Sequence, residues 1–585
     1  MVRRALSPLL LSLLLASCTR KPPDSVAPLV EEFVYQTLAF SPALATSQGY
    51  HRHQGVLLYD QLDDFSGPEL DRQRRFYLDL RKRLEQINPE TLATEDRADF
   101  DTMRDLVALT LLELDTIQNW RHNPTVYVEL IGNALFSPYV LEYAPKPERY
   151  RHIVARLKKV PALLEQAKAN LADSPEVWNT VARMENDGNI GMVDKDLREG
   201  APAELRAEYD TAARTALDAL RGFNEYLKSD LAGRTRDWRL GKNNYAVKFR
   251  YALGTDSTPE QALSDAEAEL EAVRRRMLEV ARPLHEKMFP AAKDRSDLNR
   301  VVSETLGRIA ARHSTRENYF SDAGRDLQEA RQFVRRKELV GLPPRDNLQV
   351  IETPEFMRGI YSVGGFSPAP ALEPQLGAFY YLTPIPAGWP KDRIESKLRE
   401  YNFYGMKLLT IHEAIPGHYL QLEYANDIQP RTRRVLRGAF GNSPYIEGWA
   451  VYATEMMLEE GYLENSPELL LTFQKQQLRM IANTILDIRM QTMGMSDQEA
   501  MSLMLVKTFQ EKEEATGKLQ RAKLSSCQLP TYYIGWRDWH RLREHYRHNA
   551  GAAYRTAEFH ERALKAGAVP LPVLARLLTG RSFGR

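Results

Sequence analysis

The sequence predicts a mainly α-helical protein with one small β-sheet. Most of the chain after the N-terminus carries apolar residues at three- and four-residue spacing, which is typical of amphipathic helices. Between residues 339 and 390 this pattern gives way to clustered prolines and glycines, which surround two short runs of β-forming residues. The helical pattern resumes at about Arg393 and continues to the end of the chain. We therefore expect a large helical body with a small region of sheet and loop.

The first 18 residues have the pattern of an export signal. Two arginines precede a short apolar run that ends in Leu15-Ala16-Ser17-Cys18. This ending resembles the lipobox of bacterial lipoproteins, which implies cleavage before Cys18 and a lipid on its sulfur. The resemblance places the chain in a bacterial cell envelope, lipid-anchored at the outer membrane or the periplasmic face. The alternative is an ordinary secretory signal with an incidental cysteine, and in either case the chain leaves the cytoplasm.

Composition excludes several classes of protein. The 585 residues are 43% hydrophobic and 27% charged with a formal net charge of +1, which is typical of a folded chain and not of a disordered or fibrous one. The near-zero charge gives no sign of a nucleic-acid partner. Cys527 is the second of two cysteines, so a cysteine-rich zinc site is excluded, and with Cys18 lipidated no intrachain disulfide can form. We expect Cys527 to be a buried, inert thiol. Composition leaves the oligomeric state open.

We expect the mature chain to divide into a helical part, 19–250, and a helical catalytic part with the small sheet and the zinc site, 251–585. In the first part, the helical pattern of residues 147–173 is interrupted at Pro161, which predicts a kink or a break. In the second, Thr258 followed by Pro259 predicts a capped helix that runs to Met277.

The small sheet is predicted from two runs, 348–351 and 378–383. The second run includes Tyr380 and Tyr381. We consider that it forms a free strand edge to which an extended peptide could add.

The residues that point most directly to chemistry are His412, Glu413 and His418. Zinc hydrolases need neutral imidazoles as ligands and a carboxylate beside the water that reacts. The familiar spacing is His-Glu-x-x-His, whereas here the second histidine comes six residues after the first. Six residues on a regular helix turn through about 240°, so His418 would point away from His412. Pro416 and Gly417 supply the means to break the helix and bring His418 back.

A second motif supplies a third ligand. Glu447-Gly448-Trp449-Ala450 is similar to the ligand helix of aminopeptidase N-like gluzincins, where the glutamate binds zinc. Gly448 and Ala450 are small, so we expect this helix to pack closely against the His412 helix. Glu455 lies eight residues on from Glu447, on the same general side of the helix, and is predicted to orient His412 or His418. The alternative is that Glu447 is an ordinary residue in a first helical turn.

Two histidine nitrogens, one carboxylate oxygen and an open position suit a catalytic Zn²⁺ ion. In this interpretation, the ligands are His412, His418 and Glu447. Glu413 acts as the general base, which takes a proton from water and passes it to the leaving amine.

Together the two motifs resemble the bacterial domain-of-unknown-function 885 family, which is regarded as zinc-peptidase-like. The resemblance extends from Ser41-Pro42 near the N-terminus to a closing pattern that includes Arg543 and His560. It implies a helical, gluzincin-like metallopeptidase body. At 526–527 this chain has Ser-Cys where the family commonly has Pro-Gly, which bears on the backbone shape before Tyr532.

By analogy with gluzincins, Tyr532 is predicted to donate a hydrogen bond to the oxyanion, and the alternative is a core tyrosine. Arg543 and His560 are predicted to bind a substrate carboxylate or phosphate, and the alternative is a structural role in ion pairs.

The predicted function is hydrolysis of peptide bonds, in short peptides, by a zinc metallopeptidase. A zinc hydrolase of another amide or ester would use the same ligands. A non-catalytic, metal-retaining lipoprotein is the third possibility, although it would have no use for a base such as Glu413.

Overall fold

The fold is described from a computed structural model that covers residues 25–358 and 363–583. The chain is 71% helical, which confirms the predicted fold class. The predicted signal and Cys18 lie outside the described residues. In the part of the chain that is described, no helix has the length and apolar character needed to cross a membrane.

Twelve helices precede residue 254 in the described chain. They are α1 (Ala27–Phe40), α2 (Pro42–Ser47), α3 (Gly67–Leu84), α4 (Thr94–Leu112), α5 (Asn119–His122), α6 (Thr125–Val140), α7 (Lys146–Leu157), α8 (Val160–Asn170), α9 (Glu176–Gly191), α10 (Leu197–Gly200), α11 (Arg206–Tyr226) and α12 (Gly241–Leu253).

Fourteen helices follow within the described residues. They are α13 (Pro259–Met288), α14 (Leu298–Ala310), α15 (Tyr319–Lys337), α16 (Lys391–Glu400), α17 (Phe403–Glu413), α18 (His418–Ala425), α19 (Arg431–Arg437), α20 (Ser443–Glu459), α21 (Pro467–Thr492), α22 (Asp497–Ser502), α23 (Lys512–Leu524), α24 (Thr531–Ala550), α25 (Thr556–Lys565) and α26 (Leu571–Thr579).

Helix ends follow local sequence signals. Pro161 stands in the first turn of α8, directly after the break that ends α7, because proline fits a helix start and not a helix interior. Thr258 caps α13 by accepting a hydrogen bond from the backbone of Gln261, whose side chain bonds back to the Thr258 amide. The predicted break and the predicted cap are both confirmed, and α13 runs beyond Met277 to Met288.

The sheet before the chemical motif has three strands, β3 (Leu348–Glu352), β4 (Gly364–Ser367) and β5 (Ala378–Leu382), after a short hairpin of β1 (Arg52–His53) and β2 (Val56–Leu57). The two predicted strands are β3 and β5, which pair in parallel. β4 pairs antiparallel with the other side of β5. The prediction that Tyr380 and Tyr381 form a free edge was therefore wrong, because β5 lies between two partners and β4 is an outer strand.

The three largest clusters of buried apolar residues in the described chain are one around its second half and two smaller ones around its first half. The large core contains residues from Tyr245 to Phe583, together with Ala98. The two smaller cores centre on α6–α11 and on α1, α3 and α4. The division of the mature chain near residue 250 stays a prediction.

Candidate metal centre

The first two candidate ligands lie on consecutive helices separated by a sharp turn. Helix α17 ends at Glu413, and α18 begins at His418. Between them the amide of Gly417 donates a hydrogen bond to the carbonyl oxygen of Ile411 at 3.0 Å, which folds the turn back on the end of α17. A Cβ on Gly417 would lie 1.9 Å from the carbonyl oxygen of His412. Glycine is required here for space, since its φ of −75° is open to any residue.

Helix α20 delivers Glu447 and is tied to this turn. Asn442 caps the helix, accepting a hydrogen bond from the amide of Tyr445 at 3.1 Å. The indole Nε1 of Trp449 donates to the carbonyl oxygen of Pro416 at 2.8 Å. Trp449 is fully buried, so the bond lies in the core and fixes the turn against the helix that carries Glu447.

The three side chains meet at one carboxylate oxygen. Nε2 of His412 and Nε2 of His418 each lie 3.4 Å from Oε2 of Glu447. The ligand atoms of all three residues lie within 4.8 Å of one another. Although Oε2 is buried, no described residue gives it a hydrogen bond. Burial alone would raise the pKa of Glu447, but the two histidines hold it well below its usual range.

This arrangement fits a zinc ion. Two ligands about 2.1 Å from a tetrahedral ion are about 3.4 Å apart, which matches both of the nitrogen–oxygen separations at Glu447. Two imidazole nitrogens and one carboxylate oxygen are a donor set of catalytic zinc sites. An oxygen that is buried without a hydrogen bond, facing two imidazoles, is the environment that a cation would complete.

Glu413 lies beside this cluster with only 9% of its surface exposed. Burial has the largest effect on the pKa of Glu413 and raises it. His412 lowers this pKa and the charge of Glu447 raises it further, with the result that it is about 7. A carboxyl group with this pKa exchanges protons readily near neutral pH, as a general base must.

Tyr532, the predicted oxyanion donor, lies beside His412 of the same cluster. Its ring stacks on that of His412, with the centroids 6.4 Å apart. Nη2 of Arg521 donates to the Tyr532 hydroxyl oxygen at 3.2 Å. Burial and the charge of Glu447 raise the pKa of Tyr532, so the phenol keeps a proton that it can donate.

The loop before Tyr532 keeps the backbone shape that glycine favours. Cys527 has a φ of +62°, in the left-handed region. Its amide donates to Oδ2 of Asp487 at 2.8 Å, and the hydroxyl of Tyr245 donates to the same oxygen at 2.7 Å. Cys527 is buried with a free thiol, as expected from the composition. The departure from Pro-Gly at 526–527 therefore leaves the turn intact.

Glu455 does not contact either histidine ligand within the described residues, contrary to the prediction. Its Oε2 accepts a hydrogen bond from Nε1 of Trp536 at 2.6 Å and lies 2.8 Å from Nε2 of His540. Eight residues span about 12 Å along a helix, so Glu455 is carried past the ligand cluster. These contacts join α20 to α24.

Arg543 and His560 have structural partners. Arg543 donates to Oε2 of Glu459 at 3.0 Å, which again joins α24 to α20. His560 is fully buried, with Nε2 2.9 Å from the hydroxyl of Tyr452 and Nδ1 2.9 Å from the carbonyl oxygen of Leu339. Burial lowers the pKa of His560 to about 4. Both ring nitrogens of His560 have partners, so His560 fits a structural role and not substrate binding. The ion pair with Glu459 favours a structural role for Arg543 as well.

Gly448 is needed for contact with a helix other than the expected one. A Cβ at Gly448 would lie 2.3 Å from the carbonyl carbon of Gly535, and one at Gly535 would lie 2.0 Å from the carbonyl oxygen of Pro444. The two glycines let the backbones of α20 and α24 touch. The close packing that we expected between Gly448 and the His412 helix is therefore made with α24, the helix that carries Tyr532.

Sequence reasoning missed three residues near the cluster. Phe366, on the outer strand β4, stacks on His418 with the ring centroids 6.5 Å apart. Lys518 and Arg521 lie on α23 within electrostatic range of Glu447. Burial lowers the pKa of Lys518 well below its ordinary value although the charge of Glu447 opposes this, and the pKa of Arg521 is raised. No motif marks these residues, and a basic pair three residues apart is common on helices.

A separate cavity of about 220 Å³ lies nearby. Its lining includes Arg479, Tyr401 and Lys475 and none of the three candidate ligands. It is therefore not the space in front of the cluster.

Comparisons with solved structures place the fold. A protein from Shewanella oneidensis, described as a lipoprotein of unknown function, is 28% identical, with a TM-score of 0.77 and coverage of 94% of this chain and 99% of that one. A second protein, from Colwellia psychrerythraea and described as a lipoprotein, is 16% identical, with a TM-score of 0.76 and coverage of 94% of this chain and 98% of that one. An M32 carboxypeptidase from Deinococcus radiodurans is 11% identical with a TM-score of 0.42, covering 95% and 96%, a likeness too slight to carry an argument.

The comparison with curated proteins finds no match. The family model described as "Bacterial protein of unknown function (DUF885)" matches residues 42–578. This match spans both halves of the mature chain and confirms the family resemblance of the two motifs. The chain therefore belongs to the DUF885 family of bacterial proteins.

Proposed function

We propose that this protein is a zinc-dependent metallopeptidase. The observation that carries the proposal is the meeting of His412, His418 and Glu447 within 4.8 Å of one another, with the buried Glu413 beside them. Structural zinc sites in proteins are usually closed by four protein ligands. Three ligands and an adjacent carboxyl group are the composition of a hydrolytic centre.

The chain's own residues divide the work of hydrolysis. When bound, zinc supplies Lewis-acid polarisation of the scissile carbonyl and lowers the pKa of water. Glu413 accepts the proton of the attacking water and delivers it to the leaving amine. Tyr532 donates its phenol proton in a hydrogen bond to the oxygen on which negative charge develops. Arg521 donates to the phenol oxygen and so leaves that proton free for the substrate.

Short peptides are the proposed substrates. Glu413 is 9% exposed and His418 is 8% exposed, so the reacting bond must enter a recessed site. A flexible chain end reaches such a site more readily than a segment of a folded protein does. We expect cleavage of oligopeptides and not of native globular proteins.

The test is metal analysis of the purified chain lacking residues 1–18, together with a peptide-library digest. About one zinc ion per chain and cleavage of peptides are expected. Glu413→Gln should retain zinc and abolish cleavage, whereas Glu447→Ala should lose zinc. Glu460→Ala, at the other end of α20, is the matched control and should keep both. Zinc binding without cleavage of any peptide would move the assignment to another amide or ester, and failure to bind zinc would overturn it.

We also propose that the mature chain is anchored in the cell envelope by a lipid on Cys18. The two similar structures described as lipoproteins support this proposal. Fatty-acid labelling in a bacterial host should mark the wild-type chain, and Cys18→Ser should remain unlabelled. Equal labelling of both chains would refute the anchor at Cys18.

A further inference from the structure

Two basic side chains on one face of α23 lack an acidic partner. Lys518 and Arg521 lie three residues apart, so they project from the same side of the helix. Lys518 is only 5% exposed, and no residue of 25–358 or 363–583 forms an ion pair or hydrogen bond with its ammonium group. Arg521 donates to Oε1 of Gln528 at 2.9 Å and to the Tyr532 hydroxyl at 3.2 Å, both of which are neutral groups.

The acidic residue one turn before Lys518 already has another partner. Glu514, one turn before Lys518, pairs with Arg479 and accepts a hydrogen bond from the Tyr401 hydroxyl at 3.2 Å. Burial would raise the pKa of Glu514, but Arg479, Lys397 and Lys518 together hold it at about 2. Glu514 therefore faces Arg479, Lys397 and Lys518 at once. Burial together with the charges of Arg479 and Arg521 pushes the pKa of Lys518 well below its ordinary value, against the opposing charges of Glu514 and Glu447.

The basic pair adjoins the proposed reaction site. Tyr532 joins the two, because its ring stacks on His412 and its hydroxyl accepts from Arg521. The charge of Arg521 also lowers the pKa of Glu413, which places the guanidinium within electrostatic range of the proposed base. With zinc in place, its two charges would balance those of Glu447 and Glu413. Lys518 and Arg521 would then remain beside the site without an ion-pair partner among the described residues.

We propose that Lys518 and Arg521 bind the free α-carboxylate of a peptide, so that the protein removes residues from the C-terminal end of its substrates. This inference rests on the proposed peptidase function. A carboxylate is the group that two cations beside a scissile bond recognise, since it can accept from the guanidinium and the ammonium together. An acidic side chain has the same chemistry, so the test separates the two sources.

The first experiment needs no variant. Zinc-loaded enzyme lacking residues 1–18 is given pairs of peptides that differ only in a C-terminal carboxylate or carboxamide, and products are identified by mass. We expect kcat/KM to be about 10- to 100-fold higher for the free acid, because the amide cannot form the charged hydrogen bonds. Products should differ from the substrate by loss of residues from the C-terminus. An amidated peptide with aspartate near its end tests the acidic side chain, and it should not recover the lost rate.

Variants then assign the preference to α23. Lys518→Met should lower the acid-to-amide ratio by about tenfold, and Lys518→Arg should restore most of it. Lys512→Met, an exposed position on the same helix, is the control and should keep the wild-type ratio. Binding gives a readout apart from turnover: zinc-loaded Glu413→Gln should bind the acid more tightly than the amide, and adding Lys518→Met should remove the difference.

The outcomes separate this inference from the proposed function. Internal cleavage of acid and amide peptides at equal rates would overturn the carboxylate site and leave the peptidase assignment standing. If an amidated peptide with aspartate near its end were cleaved as fast as the free acid, Lys518 and Arg521 would bind acidic side chains and not the α-carboxylate. That result would also overturn the inference. Zinc binding with no cleavage of either peptide would count against the peptidase itself.

Discussion

Gly417→Ala tests the geometry of the metal centre without changing a ligand. The added Cβ would lie 1.9 Å from the carbonyl oxygen of His412 and 2.4 Å from that of Ile411. Both obstacles are backbone atoms, so no side-chain rotation can relieve the clash. The turn would have to open by at least about 1 Å, whereas zinc–ligand distances in proteins hold to within about 0.2 Å. His418 follows directly in the chain, so the opening displaces a ligand.

The expected result is a loss of at least about 100-fold in zinc affinity, which corresponds to about 2.7 kcal/mol. The assay is competition for zinc against a chromophoric chelator at constant pH. Gly222→Ala is the matched control, because Gly222 lies in α11 with no atom in the path of a Cβ. That control should keep wild-type affinity and gain a little stability from helix propensity. Wild-type zinc affinity in Gly417→Ala would refute the argument that glycine is needed to bring His418 to the cluster.

Three further changes test the surrounding structure. Gly448→Ala should lower the melting temperature by several degrees, because its Cβ would lie 2.3 Å from the backbone of Gly535; an unchanged melting curve would contradict the tight helix contact. Trp449→Phe should weaken zinc binding and destabilise the fold by about 1–3 kcal/mol by leaving the carbonyl of Pro416 without its donor, as urea unfolding and chelator competition would measure. Asp487→Asn should stabilise the fold at pH 7 but not at pH 4. Burial raises the pKa of Asp487 to about 6, so the wild-type protein loses up to about 3 kcal/mol of stability as the pH rises from about 4 through 6 and the carboxyl group ionises. The measurement is the urea midpoint of the wild type and of Asp487→Asn at pH 4 and at pH 7. A difference between the two midpoints that is the same at both pH values would rule out this cost of ionisation.

Local chemistry explains why the centre could be predicted from the sequence. His412, Glu413 and His418 lie within seven residues, and Pro416-Gly417 signals the break that brings the last of them back. Strands β3 and β5 and the cap at Thr258 also follow from short-range patterns. These features depend on neighbours in the chain, which a sequence displays directly.

Long-range partners explain what could not be predicted. Glu455 lies on the expected side of α20, but its distance along the axis takes it to His540 and Trp536 of a helix 80 residues away. Both ring nitrogens of His560 contact residues that lie more than 100 positions earlier in the chain. The unpaired charges of Lys518 and Arg521 are defined by missing neighbours, which no local pattern reveals.

The contact between Gly448 and Gly535 has a mechanical consequence. At the contact between Gly448 and Gly535 no side chain separates α20 from α24, so nothing at that point can be compressed or rearranged. Glu447 lies one residue before the first glycine and Tyr532 three before the second, so the spacing between the third ligand and the phenol is set by two backbones in contact. The distance between these two helices is fixed at this contact. Substrates of different size must therefore be accommodated by movement of the elements that neighbour α20 and α24.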